Sequence, residues 1–135
     1  MLDSGENRIV LDTYAWVEYF KGAEEGKKVK DFIEGKFQLF TPSIVIAELS
    51  DKYRREAVPN WDFINGFIRI KTKILILDEN IADKAGELKQ ELRKRHKDVS
   101  LADAIVLAHS LNISARILTG DKHFKNLDNT IDISS

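Results

Sequence analysis

Cysteine is absent from this chain, which excludes disulfides and thiolate metal sites. Long apolar runs are also missing. The longest uninterrupted one is Ala104–Ala108, far short of the ~20 residues that a spanning helix needs. The first residues, Met1 to Asn7, carry Asp3 and Glu6 and lack a basic-then-apolar pattern, so no secretory leader is read there. No stretch rich in Pro, Gly or Ser marks a linker, and no repeat or low-complexity segment occurs. Nor is there an excess of one charge: 21 basic against 22 acidic residues leave a net charge of −1. That argues against a uniformly basic nucleic-acid binder but not against local basic surface. The positive residues bunch at Lys52–Arg55, Arg69–Lys73 and Arg93–Lys97, which read either as solvated helix faces or as a path for a phosphate backbone.

What is present fits one globular domain. The chain has 135 residues, 43% of them hydrophobic and 32% charged, enough for one core and a water-compatible cover. The expectation is a soluble, cytoplasmic protein with no membrane partner. Arg8–Leu11 is a short β-branched run ending in Asp12, followed by a helix over Thr13–Phe20 that Gly22 stops. Glu24–Glu34 reads as a second helix and Phe37–Phe40 as a second strand. Thr41-Pro42 looks like an N-cap with proline at the first helical position of a helix running to about Glu56. A helix from Pro59 to Ile70, a strand over Ile74–Leu77 and a long amphipathic helix over Asn80–His96 follow. Ser100-x-x-Asp103 is a capping-box signature for a helix reaching Leu111. Ala115–Leu118 reads as a strand, Asp121–Phe124 as a short helical turn and Thr130–Ile133 as an edge strand. Strands alternating with helices call for an α/β fold with a parallel sheet covered on both faces.

Four acids stand out on that map. Asp12 ends the first strand, Asp121 follows the Ala115–Leu118 strand, and Asp103 sits in the first turn of its helix. Each of these three has a plain role as a cap. Glu48 does not: it lies two turns into its helix within Ile44-Val45-Ile46-Ala47-Glu48-Leu49. A carboxylate beside an apolar face needs a partner, and Lys52 at i+4 is the ordinary one. The joint reading is stronger. Residues just after parallel strands and at helix N-termini share the carboxyl edge of the sheet, where ligands bind. Converging carboxylates there repel one another unless a cation lies between them, and hard oxygen ligands suit Mg²⁺ or Mn²⁺. Thr13 and Thr119 place hydroxyls beside two of the acids, for support or for a substrate phosphate. His96, His109 and His123 are spread along the chain and offer no competing cluster; His109 reads as structural.

With these residues in view, the chain resembles the PIN-domain ribonucleases, specifically the VapC-type toxins of toxin–antitoxin pairs. The segments that carry the resemblance are Val10-Leu-Asp-Thr-Tyr-Ala-Trp16, Pro42-Ser-Ile-Val-Ile-Ala-Glu-Leu49, Leu101-Ala-Asp-Ala-Ile-Val-Leu-Ala-His109 and Leu118-Thr-Gly-Asp-Lys-His-Phe124. The family's four acidic positions fall on Asp12, Glu48, Asp103 and Asp121, and its hydroxyl before the fourth acid on Thr119. The sequence departs at Gly120, where relatives often carry a polar or basic residue. The resemblance implies a three-layer fold with a central parallel sheet of four to five strands, formed by residues 8–135 after a disordered lead over 1–7. It also implies a Mg²⁺- or Mn²⁺-dependent endoribonuclease that forms a homodimer and is silenced by a cognate antitoxin. Of the basic clusters, Lys52, Arg54 and Arg55 are expected to guide RNA ahead of the more distant Arg93–Lys97 run.

Two other classes compete. Receiver domains and haloacid-dehalogenase-like phosphatases also place a strand-end Asp beside Mg²⁺, but they want an adjacent acid pair or an Asp-x-Asp, and Asp12 is followed by Thr13 and Tyr14. An inactive PIN-like binding module would naturally have lost one of the four acids. Finally, Trp61, Phe63, Ile64, Phe67, Ile68 and Ile70 give the Pro59–Ile70 helix more than one apolar face, as expected of a helix that is either surrounded or shared with a partner.

Overall fold

The computed structural model of the chain describes residues 7–134. Of the lead expected over 1–7, all but Asn7 lies outside the described residues. The chain order is β1 (Arg8–Leu11), α1 (Thr13–Lys21), α2 (Glu24–Glu34), β2 (Gln38–Pro42), α3 (Ser43–Arg55), α4 (Trp61–Lys71), β3 (Lys73–Leu75), α5 (Glu79–Leu92), α6 (Leu101–Asn112), β4 (Arg116–Thr119), a 3₁₀ turn at Lys122–Phe124, and β5 (Thr130–Asp132). The five strands form one sheet in the order β3-β2-β1-β4-β5, every pair parallel. Central strands covered on both faces should be apolar throughout. They are: Ile9, Val10 and Leu11 of β1 and Ile117 and Leu118 of β4 have no exposed surface. The chain moves outward from β1 to β2 and β3, then returns to β4 on the other side of β1. Right-handed crossovers therefore place α1–α4 on one face and α5 and α6 on the other. The packing agrees, since α1 touches α2 and α3, α3 touches α4, and α5 pairs with α6. The strand order reverses between β1 and β4, so the crevice at their carboxyl ends is where such a sheet binds ligands.

The element boundaries shift from expectation at places with a physical cause. Thr41 does not cap α3. It is a fully buried residue of β2, and its hydroxyl accepts a hydrogen bond from the Trp16 indole N–H at 3.1 Å and shares another with Thr72 at 2.7 Å. A buried indole N–H requires an acceptor, and that demand takes the hydroxyl the cap would have used. Pro42 ends the strand and itself occupies the N-cap position, with φ −62° and ψ 143°. The helix expected from Pro59 begins at Trp61, and β3 ends at Leu75, leaving Ile76 71% exposed. The helix expected over Asn80–His96 is α5, capped by Asp78, whose carboxylate accepts from the Ile81 N–H at 2.9 Å. It stops at Leu92, so the basic run Arg93–Lys97 lies in turns beyond it. Helix α4 splits its apolar residues: Trp61, Ile64 and Ile68 are buried, whereas Phe63 and Ile70 are 70% and 83% exposed. Among the described residues no helix is long and apolar enough to cross a membrane.

Candidate functional site

Each candidate side chain reaches the carboxyl edge by a different local device. Asp12 follows the last residue of β1 and caps α1, accepting from the Ala15 N–H at 2.9 Å through Oδ1. Its other oxygen accepts from the Thr119 hydroxyl, at the end of β4. Thr119 in turn accepts from the Asp121 N–H at 2.9 Å, which ties the two strand ends together. Asp121 caps the 3₁₀ turn through the His123 N–H at 2.9 Å. Asp103 forms the expected capping box, with its own N–H on Ser100 Oγ at 3.0 Å and its carboxylate on the Ser100 N–H at 3.2 Å. The caps read from the sequence are therefore real. They hold the carboxylates in place and leave lone pairs over, because each oxygen can accept more than one bond.

Asp12, Thr13, Glu48, Asp103 and Asp121 line one pocket of about 340 Å³. Glu48 does not pair with Lys52. It accepts from the Thr13 hydroxyl at 2.5 Å, while Lys52 turns to Glu56 at 2.6 Å. Burial pushes the Asp12 carboxyl up to about 7, against the Thr119 and Ala15 bonds that lower it, with the charges of Asp121 and Asp103 raising it further. Glu48 is also raised, by burial first, with the Thr13 bond opposing and Asp103 and Asp121 adding. Asp103 is raised by burial, offset by its Ser100 backbone bond and raised again by Asp121. The carboxylates thus feel one another, as like charges sharing one site do.

His123 belongs to this group. Its Nδ1 lies 3.0 Å from both Asp103 and Asp121, and its Nε2 3.2 Å from Asp98. These are ion-pair distances without hydrogen-bond alignment: neither ring nitrogen has an aligned partner among the described residues. Donor atoms of Asp103, Asp121 and His123 all fall within 4.8 Å of one another. A donor set that is mainly carboxylate oxygen fits a hard divalent cation. Asp12 and Glu48 share the pocket but stand outside that tightest trio.

Two of the three histidines meet: His96 packs edge-on to His123 with ring centroids 5.5 Å apart, although no residue of the Arg93–Lys97 run lines the pocket. The signal for His123 was its place two residues after Asp121, on the turn that Asp121 caps. Of the three basic residues expected to guide RNA, Lys52 lines the pocket. Arg54 and Arg55 do not. They are exposed on α3: Arg54, two positions on from Lys52, points to another face of the helix and bonds Ser50 at 2.9 Å, and Arg55 is turned back onto Asp51 at 3.3 Å. His109 is buried within α6, with burial pushing its imidazole below the usual range, and takes no part in the pocket.

Several solved structures share this fold. A toxin–antitoxin complex from Klebsiella pneumoniae superposes with a TM-score of 0.76 at 19% identity, covering 94% of this chain and 98% of that one. The VapC20 toxin from Mycobacterium tuberculosis, described as cleaving the sarcin–ricin loop, gives 0.71 at 17% identity, over 86% of this chain and 92% of that one. DNA-bound VapBC from Salmonella typhimurium gives 0.69 at 17% identity, over 94% and 98%. No curated protein sequence matches this chain significantly. The PIN domain family model, however, matches residues 9–129, and so takes in all four acids, both threonines and His123. The chain belongs to the PIN domain family.

Proposed function

We propose that the chain is a divalent-cation-dependent endoribonuclease, the toxin of a toxin–antitoxin pair. The observation that carries this reading is the convergence of Asp12, Glu48, Asp103 and Asp121 on one pocket at the switch point of a parallel sheet. The carboxylates of Asp12, Asp103 and Asp121 would hold the cation, with His123 beside them. Mg²⁺ or Mn²⁺ held there would supply Lewis acidity toward a scissile phosphate and toward water. Glu48, fixed by Thr13 and raised above the usual carboxylate range, is suited to take the proton of the attacking water. Thr119 fixes Asp12, and Lys52 meets the phosphate backbone at the pocket wall. Hydrolysis of this kind leaves a 5′-phosphate and a 3′-hydroxyl.

The toxin–antitoxin assignment draws on the solved neighbours, among them a toxin–antitoxin complex and VapBC assemblies. A second cavity of about 480 Å³, walled by Phe20, Tyr53, Val58, Phe63 and Ile64, shares Val17 and Lys52 with the acidic pocket. A protein segment laid in it would cover the entrance, which suits an inhibitory partner. The exposed Phe63 and Ile70 on α4 suit a further protein contact, and a homodimer is the form proposed.

The test is incubation of the purified chain with single-stranded RNA, followed by mapping of the new 5′ ends. Cleavage with Mg²⁺ or Mn²⁺, lost on chelation and in Asp12→Asn and Asp121→Asn, is expected. Tight cation binding with no cleavage of any RNA would move the chain to the binding-module reading.

A further inference from the structure

The acidic pocket accounts for a phosphate but not for the base next to it. Tyr14 is the aromatic side chain that enters α1 directly after Asp12-Thr13, and it lines the same pocket as the four acids. Its position is doubly determined. The phenol O–H donates to Glu25 on α2 at 2.6 Å, across the α1–α2 interface. On the other side, the ring fills the space where residue 120 would carry a side chain: a Cβ on Gly120 would lie 2.6 Å from Tyr14 Cζ and 2.9 Å from its hydroxyl oxygen. Both are closer than non-bonded atoms can approach, and the obstacle is a ring already pinned at its far end. The glycine at 120 is thus the counterpart of the tyrosine at 14.

The charge around Tyr14 decides what can lie against it. The phenol sits on the Glu25 carboxylate, and Glu18 lines the same pocket, so the charge beside the ring is negative. A phosphate is disfavoured there, whereas the uncharged face of a base is not. Lys52 is the basic residue lining the pocket among the described residues, so the backbone is drawn toward α3. A strand threaded with its phosphate at the acids and Lys52 turns a base toward the tyrosine.

We propose that Tyr14 is the stacking platform for the nucleobase that flanks the scissile phosphate, with Gly120 and Glu25 holding its ring in place. Aromatic rings serve single-stranded nucleic acids in this way because every base has a π face. The proposal rests on the nuclease reading and adds a determinant of where the chain cuts.

The experiment pairs changes in the protein with changes in the RNA. An RNA with a mapped cleavage point is compared with versions abasic at the nucleotide on either side of it. Wild type should show a KM raised about tenfold or more by one of the two abasic positions, with a smaller change in kcat. Tyr14→Leu, which keeps apolar bulk but no ring, should raise KM similarly on intact RNA and be indifferent to the abasic change. Tyr14→Phe should restore most of the affinity. Gly120→Ala should behave as Tyr14→Leu, and the double variant should be no worse than either single one. In parallel, short single-stranded RNAs carrying 2-aminopurine at each position in turn are bound to Asp12→Asn, with and without Tyr14→Leu, and their fluorescence followed. Quenching that disappears with Tyr14→Leu supports the platform even if wild type cuts no RNA, a result that would sink the nuclease reading alone. Equal sensitivity to the abasic change in wild type and Tyr14→Leu, or quenching that is the same in both or absent, overturns the platform.

Discussion

Leu11 and Asp12 are neighbours at the end of β1, both lie in the interior with 0% and 4% exposure, and the interior acts on them in opposite directions. Leu11 gains from leaving water, by roughly 1.5–3 kcal/mol for a fully buried side chain of its size. Asp12 loses, and the loss appears as a carboxyl pushed up to about 7 by burial. One step along a strand separates the residues that hold the sheet from those proposed to do its chemistry. The difference teaches that the edge of this sheet is a place of stored electrostatic cost, which a bound cation would relieve. Local hydrogen bonds do not remove that cost: Asp12 already accepts from Ala15 and Thr119.

The sharpest way to break the comparison is to alter its apolar half. Leu11→Ala should lower the unfolding free energy by about 2–5 kcal/mol, equally with and without Mn²⁺. A loss that Mn²⁺ largely restored would mean that the strand and the site are not separable. Thr119→Val comes next. It removes the donor that lowers the Asp12 pKa at nearly constant volume, so Asp12 should hold its proton to higher pH. Cation affinity measured by calorimetry should fall about 10–100-fold, and the metal-free melting temperature should fall as well, because the Asp121 N–H also loses its acceptor. At the small end, Arg54→Ala and Arg55→Ala should each shift stability by no more than about 0.5 kcal/mol and leave RNA affinity unchanged. Lys52→Ala should weaken RNA binding and reduce its salt dependence. Equal effects from all three would return α3 to the role of an evenly basic face.

The same contrast explains what could be read from the sequence. The parallel sheet was legible because buried strands such as Ile9-Val10-Leu11 announce themselves and alternate with helices. The three aspartates could be picked out because strand ends and helix starts are written locally, in Asp12-Thr13 and Ser100-x-x-Asp103, and Glu48 because it is a carboxylate inside an apolar helical string. What stayed hidden depends on contacts between distant segments. Thr41 looked like a cap until the Trp16 indole, 25 residues earlier in sequence, claimed its hydroxyl. His123 looked isolated because Asp98, Asp103 and His96 meet it only after α6 has packed against the sheet. Glu48 was read as a member of the acidic group, with the i,i+4 pair to Lys52 as the ordinary alternative; what no local pattern shows is its actual donor, Thr13, 35 residues away. The helix was read through to His96, whereas it stops at Leu92, and the ring contact between His96 and His123 follows from the turns beyond it.

The account stands most directly on the pH dependence of stability with and without a cation. Asp12 titrates at 3.8 when unfolded and at about 7 when folded, so between these values the folded state binds more protons than the unfolded one. Stability conferred by the protonated form is complete below about pH 4 and is lost as pH rises toward 7 and beyond; Glu48 and Asp103, also raised, act in the same direction. The measurement is the melting temperature from pH 4 to 8.5 for wild type and Asp12→Asn, each with chelator and with millimolar Mn²⁺. Wild type with chelator should fall as pH rises and recover on adding Mn²⁺ above pH 7. Asp12→Asn, which keeps the α1 cap without the charge, should fall less and respond weakly to Mn²⁺. Superimposable profiles for the two chains, with no response of wild type to Mn²⁺ at pH 8, would contradict a cation site built on Asp12.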